Sequence, residues 1–213
     1  PLLWLVLPLR PLNYALRPLG LWWAFPTDVA QRWWSRGILA LAGVAVCVRG
    51  GGNIRARRAG LVLPNHQSGL DPLALMAYMP TPAPKALFKR TLMFYLAPIF
   101  LLARLYGHVP IDRKNRDAAI RSLVKARRKI ERHARHIMIF PEGTRSTDGR
   151  LLPFKKGAFH LALEAGVGTP LYAVAVTGAL ALLPPRHVLP FAGTVTLTFL
   201  PPLAVADGDT VDA

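Results

Sequence analysis

Residues 137–146, with the sequence IMIFPEGTRS, join a short apolar run to a polar turn. Residues 61–72, LVLPNHQSGLDP, repeat the arrangement and end in a proline suited to the first turn of a helix. A buried strand that ends in a polar loop before a helix is the repeating unit of α/β proteins. The two stretches therefore predict such a fold, with polar side chains grouped where its strands end.

The same pattern continues along the chain. Apolar runs predict strands at Val44–Val48, Leu61–Leu63, Ala86–Phe88, His108–Ile111, Ile137–Phe140, Leu171–Val176 and Val195–Phe199. Helical patterns lie at Gln31–Ala42, Pro72–Met79, Thr91–Leu105, Arg116–Ala134 and Gly157–Ala165. Strands that alternate with helices predict an α/β fold with a mixed, largely parallel central sheet flanked by helices.

The composition restricts the class of protein. The 213 residues suffice for one domain with a sizeable core, and 52% hydrophobic against 18% charged residues excludes a mainly disordered chain. Lys and Arg number 27 against 11 Asp and Glu, a net charge of +16 that attracts phosphate groups. A mean hydropathy of +0.29 beside this charge favours an anionic membrane surface over nucleic acid as the partner. Cys47 is the only cysteine, which is typical of a reducing compartment.

The first 25 residues are apolar but do not form a clean membrane span. Arg10 and Arg17 interrupt them, prolines break their helical continuity, and no run of about 18 to 20 apolar residues occurs. Tryptophan and arginine mixed with leucine is typical of a segment at headgroup depth. We predict a membrane-interfacial helical segment over residues 1–32 and a globular domain over residues 33–213. The alternative is a helix that docks on the core.

Residues 64–72 carry the first candidate catalytic pair. His66 and Asp71 are five residues apart, about 140° around a helix axis, so they can pair only if the chain turns between them, and Gly69 can supply that turn. A carboxylate beside a histidine favours proton transfer. The structural alternative makes Asp71 the N-cap of a helix whose first residue is Pro72.

Residues 140–146 carry the second candidate site. Gly143 lets the backbone approach a ligand, Thr144 offers a hydroxyl, and Arg145 offers a planar fork for phosphate oxygens. The spacing of a Walker loop is absent. The structural alternative is a polar turn with Arg145 in solvent.

Taken together and in this order, the two stretches resemble the motifs of the lysophosphatidic acid (1-acylglycerol-3-phosphate) acyltransferase family, N-H-x-x-x-x-D followed by F-P-E-G-T-R-S, without a mismatch. Gly107–Arg113, Leu87–Lys89 and Pro153–Gly157 are similar to further blocks of that family. Ala173 departs from the family pattern, which has a second proline there. The resemblance covers the chain from about Trp33 to Pro202.

The resemblance implies an acyltransferase domain that moves a fatty acyl group from acyl-CoA or acyl-ACP to the free hydroxyl of lysophosphatidic acid in phospholipid biosynthesis. His66, mostly neutral at pH 7, would be the general base, and Asp71 would orient its ring. The residues implied to hold the acceptor are Asn65, Lys89, Arg113, Glu142, Gly143, Thr144 and Arg145. Since Glu142 repels phosphate, we expect it to orient Arg145 or to accept a glycerol hydroxyl. No tightly bound cofactor is implied, and the six histidines and one cysteine lack metal-site spacing.

The expected partners are an anionic membrane lipid surface, a lyso-phospholipid acceptor and an acyl thioester donor carried by coenzyme A or by acyl carrier protein. No nucleic acid is expected, because no fingerprint of a nucleic-acid-binding module occurs. The expected localisation is membrane-associated, on the cytoplasmic face, as a peripheral or monotopic protein.

Three other functions are open at this point. Within the family, the acceptor could be glycerol 3-phosphate or a lyso-aminolipid. Ser68, beside His66 and Asp71, could be the nucleophile of a lipid hydrolase or thioesterase, although the elbow G-x-S-x-G is absent. The basic stretch Arg116–Ala134 could belong to a non-enzymatic binder of nucleic acid or membrane.

Overall fold

The computed structural model of the chain describes residues 26–55, 58–89, 107–112, 121–128, 135–166 and 168–210. Its helices are α1 (Pro26–Leu41), α2 (Leu70–Tyr78), α3 (residues 121–128), α4 (Lys156–Ala165) and α5 (Ala179–Leu182), with a 3-10 turn at Gly51–Asn53. Its strands are β1 (Val44–Arg49), β2 (Leu61–Pro64), β3 (Lys85–Lys89), β4 (Val109–Ile111), β5 (Ile137–Met138), β6 (Pro170–Thr177), β7 (Gly193–Phe199) and β8 (Leu203–Ala204).

The strands form one sheet in the order β1-β7-β6-β2-β5-β3-β4, with β8 paired to the start of β6. Five of the strand pairs are parallel, whereas β6 runs antiparallel to β7 and to β8. The predicted mixed, largely parallel sheet is therefore confirmed. Each predicted strand has its counterpart, while α5 and β8 were not predicted. The predicted helix Thr91–Leu105, and the parts of Arg116–Ala134 other than residues 121–128, lie outside the described residues.

The core has two halves, one on each face of the sheet. Along β2, Leu61 packs with α3 and α4 on one face, whereas Val62 packs with α1, α2 and α5 on the other. This alternation follows from the two-residue period of a strand. Because both faces are covered, the ends of the strands are the places where polar side chains can reach solvent. The site is expected at one of those ends.

Helix α1 fastens the far end of α2. Arg32 donates from Nη1 to the carbonyl oxygens of Ala77 (3.2 Å) and Met79 (3.0 Å), and Arg36 donates from Nε to Ala77 at 3.1 Å. These carbonyls lie at the C-terminus of α2, where a helix lacks internal donors and favours positive charge. These contacts fix the C-terminus of α2. The first turn of the helix, which carries Asp71, lies at the edge of the sheet.

The first described residues belong to the packed domain. Asp28, in the first turn of α1, forms buried ion pairs with Lys85 of β3 and with Arg135. The predicted boundary after residue 32 lies inside α1, so residues 26–32 pack with the sheet, while residues 1–25 lie outside the described part of the chain. Among the helices that are described, none is long and apolar enough to cross a bilayer.

Candidate active site

His66 and Asp71 meet in the loop between β2 and α2. The Nδ1 atom of His66 lies 2.8 Å from Oδ2 of Asp71, a carboxylate that is fully buried, while the imidazole keeps 19% of its surface exposed. Because the carboxylate can only accept, Nδ1 carries the proton, and Nε2 is left with a lone pair. The described residues offer Nε2 no hydrogen bond. The pair is arranged as a base oriented by an acid.

Asp71 is not the N-cap of α2. The helix begins at Leu70, so Asp71 is its second residue and Pro72 its third, and the cap position is Gly69. The Oδ2 atom of Asp71 accepts backbone N–H groups from Gln67 and Ser68, both at 2.7 Å, which folds the loop back over the helix start. The structural alternative for Asp71 is thus wrong in its geometry. Gly69 lies in the turn as predicted, but its φ of −65° is open to any residue, so the turn does not require glycine at this position.

The loop after β5 lies directly against His66. The ring of Phe140 stacks on the imidazole with centroids 3.9 Å apart and planes at 22°. The carbonyl oxygen of His66 accepts the backbone N–H of Ser146 at 2.8 Å. Strands β2 and β5 are parallel neighbours, so their carboxyl ends bring the two loops to the same edge of the sheet. The structure therefore joins the two predicted motifs in one site.

Glu142 is the link between the loops. Its side chain is 1% exposed, and its two oxygens accept backbone N–H groups from His66 (2.7 Å) and Leu152 (2.9 Å). Neither of the roles that we expected, orienting Arg145 or accepting a glycerol hydroxyl, appears in these contacts. With each oxygen committed to a backbone donor, the carboxylate positions the segment that carries the base.

The turn after Phe140 presents three of the predicted acceptor-binding residues. The N–H of Gly143 bonds to the carbonyl of Phe140 at 3.1 Å with φ +73°, a left-handed conformation that favours glycine. Thr144 and Arg145 follow with exposed side chains. The turn holds a hydroxyl and a guanidinium toward solvent beside the catalytic pair, which suits an anionic ligand.

The other predicted binding residues differ in position. The side-chain amide of Asn65 bonds to the backbone of Val176 in β6 in both directions, at 3.0 and 2.6 Å, so it joins β2 to β6; its contact with substrate stays a prediction. Lys89 ends β3 with an exposed side chain at the same sheet edge as the two loops. Arg113 lies outside the described residues.

Ser68 cannot be a nucleophile in this arrangement. Its side chain is fully buried, and Oγ donates to the carbonyl of Leu183 at 2.9 Å while it accepts the N–H of Leu70 at 3.2 Å. The hydroxyl is occupied on both sides and no substrate can reach it. The hydrolase alternative is wrong for this reason.

Two contacts of the site were not anticipated. Gln67 donates from Nε2 to the carbonyl of Gly149 at 3.0 Å, and Phe140 supports the imidazole face. In the sequence, only the fact that Gln67 and Phe140 lie within the two motifs could have indicated that they belong to the site. Among the described residues, no three histidine, cysteine or carboxylate side chains converge as a metal site would require.

Comparison with known proteins gives this site a family. A family model described as Acyltransferase matches residues 45–177. The 1-acyl-sn-glycerol-3-phosphate acyltransferase of Limnanthes alba is 34% identical over 184 residues, which are 82% of this chain and 60% of the relative. The human 1-acyl-sn-glycerol-3-phosphate acyltransferase beta is 33% identical over 168 residues, 79% of this chain and 59% of the relative.

A solved structure has the same fold. The crystal structure of the 1-acyl-sn-glycerophosphate (LPA) acyltransferase PlsC from Thermotoga maritima aligns with a TM-score of 0.71 at 25% identity, over 83% of this chain and 68% of that one. The chain spans about 60% of the length of these plant and human relatives. The family model covers more than half of the chain and includes both loops of the site. The chain belongs to the acyltransferase family, as the two motifs predicted.

Proposed function

We propose that this chain transfers a fatty acyl group from an acyl thioester to the free hydroxyl of lysophosphatidic acid. The observation that carries the proposal is the buried carboxylate of Asp71 at 2.8 Å from Nδ1 of His66, with Nε2 directed away from that bond. Relatives at 34% and 33% identity are named 1-acyl-sn-glycerol-3-phosphate acyltransferases. A neutral imidazole oriented in this way is suited to accept a proton at pH 7.

The reaction needs no covalent intermediate. As Nε2 of His66 takes the proton, the acceptor oxygen attacks the thioester carbonyl and forms the new ester bond. Collapse of the tetrahedral intermediate breaks the carbon–sulfur bond, and the imidazolium returns the proton to the thiolate that leaves. Asp71 stabilises the imidazolium between these steps. No tightly bound cofactor enters, and the donor is acyl-CoA or acyl-ACP.

The acceptor phosphate would lie on the turn after Phe140. We assign Thr144 and Arg145 to it, with Gly143 allowing close approach of the backbone. Lys89 and Arg113 are the further cations of the proposal. Asn65 and Glu142 are given positioning roles, because their polar atoms are occupied by backbone groups.

The proposed setting is the cytoplasmic face of a membrane, where the acceptor resides. The apolar stretch over residues 1–25, with Trp4, Trp22 and Trp23, supports it on sequence grounds. A net charge of +16 favours anionic lipid.

The test is an acceptor and donor panel. The protein would be incubated with lysophosphatidic acid, glycerol 3-phosphate and lyso-aminolipids, each with acyl-CoA and acyl-ACP, and products would be identified by mass spectrometry. We expect phosphatidic acid from lysophosphatidic acid as the main product. A product from another acceptor only would overturn the assignment of the substrate.

Arg145→Lys sharpens the phosphate assignment. A point charge replaces a bidentate fork, so we expect the KM for lysophosphatidic acid to rise about tenfold with little change in kcat. Arg58→Lys is the matched control, since Arg58 is an exposed arginine before β2, at the opposite end of that strand. An unchanged acceptor KM in Arg145→Lys would remove Arg145 from the phosphate site.

A further inference from the structure

Two exposed segments lie beside the loop of His66. Strands β6, β2 and β5 are parallel neighbours in the sheet, so the segments that follow them leave from one edge. His66 follows the middle strand, β2. Residues 150–156 lie beyond β5, and residues 183–191 lie beyond β6. We name these two stretches the rim segments.

Hydrogen bonds fasten both rim segments to the catalytic loop. Gln67 donates to the carbonyl of Gly149, the residue before the first rim segment, at 3.0 Å. Ser68 donates to the carbonyl of Leu183, the first residue of the second rim segment, at 2.9 Å. Gln67 and Ser68 directly follow His66 in the chain. Both rim segments therefore begin against the two residues that follow the catalytic base.

The rim segments expose large apolar side chains. In the first, Leu151 is 66% and Phe154 is 51% exposed. In the second, Val188 is 86%, Leu189 is 79% and Phe191 is 59% exposed. Exposed apolar side chains that are scattered singly are ordinary, but two groups beside one functional site indicate a surface that something covers.

The charges in the same segments are of one sign. Lys155, Lys156 and Arg186 are exposed cations, Arg150 is an exposed cation that pairs with Asp148 at 3.8 Å, and neither rim segment contains Asp or Glu. Apolar side chains interleaved with lysine and arginine, without acidic residues, are the chemistry of a contact with anionic lipid headgroups. A protein partner would have to present a matching acidic and apolar surface around the mouth of the site, where it would obstruct a lipid acceptor.

We propose that the two rim segments dock on an anionic phospholipid bilayer and seat His66 over the membrane surface. The inference rests on the proposed function, because an acceptor that resides in a bilayer must reach Nε2 of His66 from the membrane side. The rim segments form a lipid contact that is built into the catalytic domain and does not involve residues 1–25. Apolar tips enter the headgroup layer while the cations beside them meet lipid phosphates.

Site-specific labelling tests this contact apart from overall binding. Cys47 is the only cysteine, so in a Cys47→Ser background a polarity-sensitive fluorophore can be placed by Leu189→Cys or Leu151→Cys. The control is Leu203→Cys. Leu203 is 67% exposed in β8, paired with Leu171 near the start of β6, at the opposite end of that strand from the rim. The full chain would be added to vesicles of phosphatidylcholine with and without phosphatidylglycerol.

We expect the labels at positions 189 and 151 to brighten and shift to the blue only with vesicles that contain phosphatidylglycerol, while the label at position 203 stays unchanged. Leu189→Ser combined with Phe191→Ser should weaken vesicle binding about tenfold, with no loss of activity on a dispersed short-chain acceptor. No change at either rim label would overturn the proposal. A shift at position 189 that grows with protein concentration in the absence of vesicles would overturn it in favour of contact with a second copy.

These readouts separate the two proposals. If the labels respond but no lyso-lipid is acylated, the proposed function fails while the docking surface stands. If acylation proceeds and the labels do not respond, the docking surface fails alone.

Discussion

His66 and His136 stand at opposite ends of two adjacent parallel strands and have opposite surroundings. His66 follows β2 at the carboxyl edge, with a buried carboxylate at 2.8 Å and part of its ring exposed. His136 precedes β5 at the amino edge, 2% exposed, with its ring edge-on to Tyr172 at 5.3 Å. A histidine is therefore equipped for proton transfer by its hydrogen-bond partner and its access to solvent.

The surroundings of His136 keep it neutral. Burial lowers the pKa of its imidazole to about 4, the backbone of Arg55 partly offsets this, and the positive charge of Arg135 lowers the pKa further. A group that resists protonation throughout the physiological range cannot serve as a base near pH 7. His136 is therefore a packing residue, and the two histidines form a natural pair of test and control.

Replacing each histidine gives the largest expected difference. His66→Ala should lower the rate of acyl transfer by about 10²- to 10⁴-fold, because a general base contributes an effect of that size. His136→Leu should keep the wild-type kcat at pH 7. Steady-state kinetics with lysophosphatidic acid would measure both. A His66→Ala variant that kept more than about a tenth of the rate would remove His66 from the role of base.

Asp71→Asn isolates the charge behind His66. All three hydrogen bonds to this carboxylate go to Oδ2, so the carbonyl oxygen of asparagine can retain them while the negative charge is lost. Without that charge the imidazolium is less stable, and we expect kcat to fall about 10²- to 10³-fold while the far-UV spectrum is unchanged. Near-normal activity would indicate that Asp71 only shapes the loop.

The strands that carry the site and the pairing of His66 with Asp71 could be predicted from the sequence, because both depend on local patterns. Apolar runs placed the ends of β2 and β5, and the spacing of His66 and Asp71 required a turn between them. Periodicity also gave the two-sided sheet, since burial on both faces produces near-continuous apolar strands.

The long-range contacts of the site depend on which strands become neighbours in the sheet. Local sequence patterns do not determine that order. Glu142 bonds a residue 76 positions earlier, and Asn65 bonds one 111 positions later. These polar side chains satisfy backbone groups that the sheet order brings beside them, and no local pattern predicted those contacts. The alternative that makes Ser68 a nucleophile fails for the same reason, since its hydroxyl is bonded to the distant carbonyl of Leu183.

The third test concerns acid stability. Well above pH 6.5, His136 is neutral in both the folded and the unfolded chain and has no effect on stability. As the pH falls from 6.5 to 4, the unfolded chain binds a proton at this residue that the folded chain does not, so unfolding becomes easier. The difference in the free energy of unfolding should reach about 2 to 3 kcal/mol by pH 4.

His136→Leu removes this proton, so the stability of the variant should fall less steeply over the same range than that of the wild type. Denaturant unfolding at several pH values, compared as slopes, would measure the difference even if leucine changes the overall stability. Parallel curves for the two proteins would show that His136 takes up its proton equally in both states.

Glu142→Gln has the smallest expected effect and tests how the carboxyl edge is held. Glutamine can accept the N–H of His66 or that of Leu152 but must turn its own NH₂ toward the other, leaving a buried donor without an acceptor. We expect kcat/KM to fall about tenfold through misplacement of His66, together with a melting temperature several degrees lower.

Glu164→Gln is the matched control, because the Glu164 carboxylate is 59% exposed and pairs with Arg127 at the surface at 3.4 Å. Both kcat/KM and the melting temperature of this variant should stay near wild type. A higher acceptor KM without thermal change would instead mean that Glu142 contacts the acceptor, as the motif alone had suggested.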